Sequence, residues 1–465
     1  MLVYAAALAA GLALRLVMLV NVFEVQGDSL VYGGIAKNLL LHGAYAYTTE
    51  SGKIHPTLIR LPGYPLFLAG CFRLFGLDNY APAVYIQLGL DLLGCVLLAE
   101  FARRIAPAAL KRKAGMATLW LGVLCPFTAE YSIQPLTESL TIFTLALAIW
   151  AMARFRDEPG WKYALWFTFA VTWAATLRPD GALAAVAFAP ALLAGLPPGT
   201  VSGKKLGQMA AVCALLALAP FGAWAWRNWR AFHVFQPLAP RTAMDPGERT
   251  NPGWERWIKT WCLDFASTYD IYWRVPDEPL NPDKMPARAF DTMAQRTEVK
   301  NLAAAYEDND EKLSPAMDAQ FARLAEQRIR EHPLRYYVWL PLGRLADMTL
   351  HPRTENMNID VDWWVYENHP DETVFSWAYA GLNALYLTLG VAGLCLRPRL
   401  WKALLAYIGL RYALLLTVSA PEERYTLEFF PMLFVWGGVA MAAVVRRAKA
   451  TKVVDGISGA ENSGL

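Results

Sequence analysis

The chain has 465 residues, of which 55% are hydrophobic and 18% are charged, and its formal net charge is +3. A soluble protein of this length carries a larger charged fraction, so the composition indicates a membrane protein. It argues against nucleic-acid binding, because that function needs a clustered basic surface and none appears in the sequence. The six cysteines form no CxxC pair, which argues against a thiol-ligated zinc site.

Apolar stretches near the length of about 20 residues that crosses a hydrocarbon core recur along the chain. They predict an all-α polytopic membrane protein with about 10–12 transmembrane helices and an external helical loop region. Ten spans are expected at residues 3–23, 80–102, 115–129, 135–153, 162–177, 181–196, 206–226, 374–396, 400–419 and 425–445. Two shorter stretches, 62–76 and 334–350, contain proline or charge and are expected at the membrane interface.

Clusters of lysine and arginine orient these spans. With ten crossings, five clusters fall on one side of the membrane, at residues 103–113, 154–162, 204–205, 397–399 and 446–449. The positive-inside rule assigns this side to the cytoplasm, and both termini share it. The external side then holds the loop 24–79, two tight turns at 130–134 and 178–180, and the long stretch 227–373. The short architecture and compact loops favour a bacterial inner membrane.

Four segments follow from this topology. They are an N-terminal transmembrane module over residues 1–226, an external region with interfacial helices over 227–373, C-terminal transmembrane helices over 374–449, and a disordered cytoplasmic tail over 450–465. Within the external region, residues 286–331 place apolar side chains at helical spacing among Ala, Glu, Arg and Gln, which predicts exposed helices. The region is long enough for a small subdomain on the membrane surface.

Two acidic residues stand at the external ends of predicted spans. Asp28 follows the first span, and two roles fit it. It can cap the helix that begins there, or act as a general base at the lipid–water boundary, where partial desolvation raises its basicity. Glu138 opens the fourth span, where an acid favours the helix dipole and where it can also share a cavity with Asp28. The sequence leaves both alternatives open.

Basic residues approach the same external surface. Arg60 precedes a Pro-Gly-Tyr-Pro break in "HPTLIRLPGYPLFLAG", and these prolines hold it at a fixed height beside the membrane. A guanidinium there suits a phosphate, although a single arginine at this depth more often reaches for lipid headgroups. Arg178, Arg227, Arg424 and Tyr425 are expected on the same face. Together these residues describe an anion site edged by two carboxylates.

Arg15 and Asp91 lie inside the first and second predicted spans. Charges at this depth are costly and are functional candidates by default. We expect instead that the two side chains pair and lock the two helices together. The six histidines are scattered, and the sequence contains no Walker-type loop and no HExxH helix, so no histidine-built metal site is predicted.

Several short motifs follow one another over nearly the whole chain. They are Asp28 with Tyr32 four residues later, "RLPGYPLFLA", "QLGLDLL", "PLTESL", "LRPDG", "RNW" and "ERYTLEFFP". This ordered set resembles the lipid-linked-sugar glycosyltransferases of the GT-C class, in particular the glycosyltransferase 39 type, and is similar to the protein O-mannosyltransferases and the aminoarabinose transferase of lipid A. The resemblance implies a GT-C-like helix bundle. Residues 229–370 carry none of these motifs.

The resemblance also implies roles for individual residues. Asp28 corresponds to the catalytic base, Glu138 to a second acid, Arg60 to the basic residue that holds the lipid phosphate, and Arg424 with Tyr425 to phosphate contacts at the last span. A second tier of candidates comprises Lys53, Tyr32, Tyr64, Arg178 and Arg227. The chain departs from its relatives in carrying Ser29 after its first acid, where the mannosyltransferases have a second acid, and in carrying Glu rather than Asp at 138.

The implied reaction is an inverting transfer of sugar from a polyprenyl-phosphate donor to an acceptor on the external, periplasmic face. The acceptor is a lipid, a glycan or a protein, and the other partners are membrane lipids. No cofactor is required, because arginines supply the positive charge, and a divalent metal remains an open question. Two alternatives are a transporter or flippase and a polysaccharide polymerase or ligase. A transporter commonly has internal repeats and a midplane site, whereas this chain shows no repeat and its charges gather at one interface.

Overall fold

The computed structural model describes the chain except for Met1, Glu50, Gly195, residues 197–199, 241–243 and 462–465, and it describes no side chain beyond residue 446. The described residues are helical apart from turns, loops and one short antiparallel hairpin, in which Ala46 pairs with Pro56. The predicted all-α class is confirmed. The last four residues of the tail expected to be disordered lie outside the described residues, and a helix continues to Glu461.

The chain divides into two units by packing. The first unit comprises Met1–Pro246, Leu385–Ile408 and Leu427–Leu465, and the second comprises Gly247–Ala384 and Gly409–Thr426. The four segments predicted from the sequence were defined by the expected membrane topology and not by packing. Their boundaries therefore differ from those of the two units. Two helices near the C-terminus contribute residues to both units.

The first unit contains most of the apolar helices. Its elements are α1 (Leu2–Val22), α2 (Asp28–His42), β1 (Ala46–Thr48), β2 (Ile54–Pro56), α3 (Gly63–Phe75), α4 (Ala81–Ile105), α5 (Lys111–Val123), α6 (Pro126–Ile133), α7 (Thr137–Asp157), α8 (Trp161–Leu177), α9 (Ala182–Leu193) and α10 (Gly203–Phe232). Nearly all side chains of α7 from Thr137 to Ala153 are buried.

The second unit contains α11 (Pro252–Ile258), α12 (Phe265–Ser267), α13 (Met293–Glu307), α14 (Pro315–Glu331) and α15 (Leu340–Leu350). The two units share α16 (Pro370–Cys395) and α17 (Trp401–Leu415), and α18 (Phe430–Glu461) belongs to the first unit. The helices α13 and α14 confirm the prediction of helices within residues 286–331.

Six of these helices are long and apolar enough to cross a membrane, namely α1, α4, α7, α10, α16 and the segment Glu423–Arg446 that includes the start of α18. They coincide with six of the ten predicted spans. The remaining predicted spans correspond to α5, α8, α9 and α17, which have 13, 17, 12 and 15 residues. These four helices are shorter than the roughly 20 residues that one membrane crossing needs. The total of 10–12 crossings therefore stays a prediction.

The expected span 115–129 with a tight turn at 130–134 is wrong in its details. The helix α5 ends at Val123, and Pro126 begins α6 immediately afterwards. Proline is favoured in the first turn of a helix, because the missing N–H has no intrahelical partner there. The helix therefore ends six residues before the end of the expected span, at Val123 instead of residue 129, and residues 126–133 form a fully buried helix. The bend before α7 lies at residues 134–136.

A buried ion pair joins the first two long helices, as the sequence predicts. Arg15 donates from Nε to Asp91 Oδ2 at 2.8 Å and from Nη2 to the same oxygen, and the two side chains are 0% and 2% exposed. Its Nη1 also donates to the carbonyl of Val123 at 2.8 Å, at the end of α5. One guanidinium thus connects α1, α4 and α5.

Replacing Asp91 with Ala should destabilise the protein by about 3–5 kcal/mol, because Arg15 would remain buried without its carboxylate. The double variant Arg15→Met/Asp91→Leu should recover most of this loss, since it removes both charges and keeps apolar volume. Thermal unfolding of the purified protein in detergent measures both effects. Equal losses in the single and double variants would contradict a structural role for the pair.

The second unit has a hydrophobic core of its own. The tryptophans of "NPGWERWIKTWCLDF" point inward: Trp254, Trp257 and Trp261 are at most 2% exposed and pack with Phe321 of α14. The start of α11 is held by Asp318, whose carboxylate accepts the N–H groups of Gly253 and Trp254. The helical spacing of these tryptophans lets α11 bury one face against α14.

Candidate active site

The helix α2 brings Asp28 to Arg60. The helix begins at Asp28 with Gly27 as its N-cap, and no side chain caps it. The Asp28 carboxylate instead faces the Arg60 guanidinium, with 2.5 Å between Oδ1 and Nη2. The two side chains are 24% and 27% exposed, so the pair is accessible to solvent and to a ligand. Gly27 rather than Asp28 is thus the N-cap residue of α2, and Asp28 forms an ion pair with Arg60, the residue predicted to hold the lipid phosphate.

Two tyrosines lie beneath this pair. Tyr32 stands one turn after Asp28 on α2, and the Arg60 guanidinium lies 5.8 Å from the centre of its ring. Tyr64 of α3 contacts Tyr32 edge to face, with 5.0 Å between ring centres, and donates to Gln87 at 2.5 Å. Burial and the charge of Asp28 raise the pKa of Tyr32 to about 12. Tyr32 is therefore a neutral phenol at physiological pH and a wall of the site rather than a base.

A second group of charges surrounds Arg178. Its Nη1 lies 2.9 Å from Glu138 of α7, and its Nε lies 3.3 Å from Asp180 and 3.6 Å from Glu428. The side chains of Glu138 and Glu428 are 2% and 0% exposed. One guanidinium thus holds three carboxylates from three parts of the chain: the first turn of α7, the turn between α8 and α9, and the segment before α18.

The two groups of charges are neighbours. The charges of Glu138 and Arg178 act on the Tyr32 hydroxyl together with those of Asp28 and Arg60. A glycine at position 63 permits this close approach of α3 to α8. A β-carbon there would lie 2.6 Å from the carbonyl oxygen of Thr176. The absence of a side chain lets the start of α3 contact the end of α8, two residues before Arg178. The pair of Asp28 with Arg60 and the pair of Glu138 with Arg178 therefore both lie near Tyr32.

Two second-tier candidates have other contacts. Arg227 donates to the carbonyls of Thr57 and Tyr45 and lies over the Tyr45 ring, so its guanidinium connects the loop between α2 and α3 to the end of α10. Tyr45 in turn donates to the carbonyl of Arg60 at 3.0 Å. Lys53 is exposed in the turn between β1 and β2, where its backbone pairs with Thr49. The structure thus gives Arg227 a supporting role and leaves the Lys53 side chain in solvent.

Arg424 and Tyr425 belong to the second unit, where both contact Glu422. The Arg424 Nε donates to Glu422 at 2.6 Å, and the Tyr425 hydroxyl donates to its other oxygen. The Arg424 guanidinium also lies 5.9 Å from the Tyr425 ring centre. The three side chains form one cluster. Arg424 and Tyr425, the two residues predicted to contact the phosphate, therefore lie next to each other. Their role stays a prediction.

The sequence reasoning missed Glu428 as a site residue. The residue lies inside the motif "ERYTLEFFP" and is fully buried, beside Arg178. A carboxylate at the mouth of an apolar span was a sufficient signal, because such charges need a partner. Asp180 was visible in "LRPDG" next to Arg178, and the structure joins it to the same guanidinium. Among the described residues, the groups of histidine and acidic side chains with metal-ligand spacing lie in the second unit and include none of these.

Known proteins resemble part of this chain. The family model of the dolichyl-phosphate-mannose-protein mannosyltransferases matches residues 55–224, which confirms over that segment the predicted resemblance to the GT-C class and supports a glycosyltransferase. The matched segment contains Arg60, Glu138 and Arg178, and Asp28 precedes it.

The crystal structure of ArnT from Cupriavidus metallidurans in the apo state is similar at 14% sequence identity and a TM-score of 0.37, over 94% of this chain and 76% of that chain. A TM-score of this size does not establish a shared fold. No curated protein matches the sequence.

Replacing Arg178 with Met should destabilise the protein by about 3 kcal/mol, because two buried carboxylates lose the guanidinium that balances them. The matched variant Arg60→Met should cost less than about 1 kcal/mol, since solvent reaches Asp28 and hydrates it. Thermal unfolding in detergent compares the two variants. A loss of stability in Arg60→Met as large as that in Arg178→Met would contradict this account, in which Arg178 is structural and Arg60 can exchange Asp28 for a ligand.

The second unit also buries a carboxyl beside a histidine. Asp347 of α15 lies near His351, whose Nδ1 is 2.9 Å from Glu423 Oε1. Burial raises the pKa of Asp347 from 3.8 to about 7, and burial lowers the pKa of His351 below its usual 6.5. The negative charge of Asp264 raises the pKa of both groups, and the positive charge of Arg353 lowers the pKa of His351. Asp347 therefore changes charge near neutral pH.

Asp347 should make the protein less stable as the pH rises from about 4 to about 7. A carboxyl whose pKa is raised by folding holds its proton more tightly in the folded state, so raising the pH through this range removes stability. Between pH 5 and pH 7 the parent should lose about 2 kcal/mol relative to Asp347→Asn. The exposed Asp308→Asn is the control, and unfolding temperatures across this pH range are the measurement. Parallel pH profiles of parent and Asp347→Asn would refute the assignment.

Proposed function

We propose that the protein is an inverting glycosyltransferase that moves a sugar from a polyprenyl-phosphate donor to an acceptor at the external face of a bacterial inner membrane. The observation that carries this proposal is the ion pair between Asp28, at the start of α2, and Arg60, which is about one-quarter exposed and lies near the buried pair of Glu138 and Arg178. A base and a phosphate ligand are the two groups that such a transfer needs.

The donor phosphate competes with Asp28 for Arg60. In the structure the pair is joined through Nη2, and phosphate presents several oxygens that a guanidinium can hold through two parallel hydrogen bonds. The pair is about one-quarter exposed, so a ligand can reach it without opening the core. Arg60 then stabilises the negative charge of the leaving polyprenyl phosphate. Arg424 and Tyr425 are proposed as further phosphate contacts.

Exchange of Arg60 from Asp28 to phosphate also activates the base. A carboxylate paired with a guanidinium is a weak base, and its basicity rises when the positive charge moves to another anion. Asp28 then takes the proton from an acceptor hydroxyl or amine as that atom attacks the anomeric carbon. The bond from this carbon to the phosphate oxygen breaks on the opposite face, and the phosphate leaves with the electron pair. No general acid is needed, because the leaving group is already a weak base.

Glu138 is proposed as the second acid of the site. Glu138 is one of three carboxylates that Arg178 faces, together with Asp180 and Glu428. Ionised carboxylates accept hydrogen bonds strongly, and the hydroxyls of a sugar are donors. Glu138 therefore orients the sugar while Asp28 and Arg60 carry out the proton transfer and charge stabilisation. Arg178 keeps the buried carboxylate in place.

Asp28→Asn should reduce the rate of sugar transfer at least about 100-fold, the usual contribution of a general base. The purified protein in bilayers is given a panel of radiolabelled polyprenyl-phosphate sugars, with total membrane lipid and glycan as acceptors. The control is Asp78→Asn, the same change at an exposed acid that pairs with Lys37 at 2.5 Å. The control should keep the parent's rate.

Each outcome of this experiment bears on the reaction class. Transfer by the parent and by Asp78→Asn, with loss in Asp28→Asn, supports the proposal. Equal transfer by all three proteins overturns the role of Asp28 and directs attention to Glu138. Absence of transfer with every donor, from folded protein that binds these lipids, would favour a transporter of lipid-linked substrates.

A further inference from the structure

Three carboxylates surround one histidine at the start of α16. His369 precedes the helix, and its Nδ1 lies 3.2 Å from Asp360 Oδ2 and 3.8 Å from Glu372 Oε1. On the other side of the ring, Nε2 lies 3.4 Å from Asp362 Oδ1. The ligand atoms of Asp360, His369 and Glu372 all lie within 4.8 Å of one another. All four residues come from 13 consecutive positions of the second unit.

These separations match the edges of a metal coordination tetrahedron. Zinc binds imidazole nitrogen and carboxylate oxygen at about 2.0–2.2 Å, so two ligand atoms of a tetrahedral site lie about 3.3–3.6 Å apart. The observed 3.2 and 3.8 Å bracket this value. Small rotations of the exposed Asp360 side chain close the remaining difference. Three protein ligands leave a fourth position for water.

The surroundings of the three ligands are those of a metal site. A histidine that binds a metal through one nitrogen usually donates its other N–H to a carboxylate, which fixes the ring. Asp362 is placed to accept that N–H from Nε2. Glu372 is positioned in a similar way, because its Oε2 accepts the backbone N–H of Asp360 at 2.8 Å and leaves Oε1 facing His369. Two of the three ligand side chains, those of His369 and Glu372, are therefore oriented before an ion arrives.

A second group in the same unit shows what a non-binding arrangement looks like. Asp291, Glu331 and His332 have similar spacing. However, Asp291 is already held by Arg335 through two bonds of 2.7 Å and faces Arg328 at 3.3 Å. Two positive charges occupy the place of a cation, so a metal ion would be repelled. Around His369, in contrast, the ion pairs are with three carboxylates, and the charge is matched by a divalent cation.

We propose that Asp360, His369 and Glu372 bind a divalent transition-metal ion, with Zn²⁺ as the best fit, and that Asp362 orients the histidine. An imidazole ligand favours zinc over magnesium and calcium, which prefer oxygen ligands alone. The ion ties the irregular segment before α16 to the first turn of this helix. Trp363 lies within this segment, and its carbonyl accepts the Thr373 hydroxyl, so the ion reinforces an existing contact. This site is independent of the proposed transfer reaction.

Zinc binding by the untagged, full-length protein in detergent tests the proposal. The protein is stripped with a chelator, exposed to ZnCl₂ and desalted, and the bound metal is measured by mass spectrometry together with the unfolding temperature. The parent should retain one more equivalent of zinc than His369→Ala and Glu372→Gln, and zinc should raise its unfolding temperature. Asp362→Asn keeps all three ligands and should weaken zinc binding about 10–100-fold.

His332→Ala is the matched control, because it removes a histidine from the group that the arginines neutralise. It should bind zinc as the parent does. Retention of the parent's zinc content by His369→Ala, or an equal loss in His332→Ala, would overturn the proposal. If His369→Ala does not fold, the comparison of Asp362→Asn with the parent decides: equal zinc affinity in these two proteins would also overturn it.

Discussion

A guanidinium buried in a membrane protein must meet carboxylates or carbonyls, and this requirement determines how the helices of the first unit pack. Arg15 draws α1, α4 and the end of α5 to one point through Asp91 and the carbonyl of Val123. Arg178 does the same for α7, the turn after α8, and the segment that leads into α18. Each arginine satisfies several elements at once, so none of these elements can shift without leaving a charge unpaired.

The degree of burial separates structural pairs from a functional one. The side chains of Arg15 and Asp91 are at most 2% exposed, and removing either partner leaves a charge that nothing can hydrate. Asp28 and Arg60 are about one-quarter exposed, so either can exchange its partner for a ligand. While they are paired, Asp28 is a weak base and Arg60 is not available to an anion. A phosphate that binds Arg60 releases Asp28 to act as a base, so proton transfer depends on the presence of the donor.

Much of the helical structure could be predicted from local patterns, because a span or an amphipathic helix depends on residues close in sequence. The pairing of Arg15 with Asp91 was predictable as well, since two isolated charges at membrane depth have few other partners. The contact between Asp28 and Arg60 was not, although both residues were recognised, because it depends on how the loop of β1 and β2 folds back. The contact of Arg178 with Glu428 joins residues from distant parts of the chain and follows from the packing of α7 and α18. His369 was set aside with the other scattered histidines, yet five acidic residues lie within nine positions of it in the sequence.

The most direct test of this account separates donor binding from transfer in Asp28→Asn. If Asp28 competes with the donor phosphate for Arg60, its removal should strengthen donor binding while it abolishes transfer. Equilibrium binding of a polyprenyl-phosphate sugar to the parent and to Asp28→Asn, in the same bilayers as the transfer assay, measures this difference. The account predicts a lower dissociation constant for the variant. Weaker donor binding, or transfer that continues at the parent's rate, would contradict it.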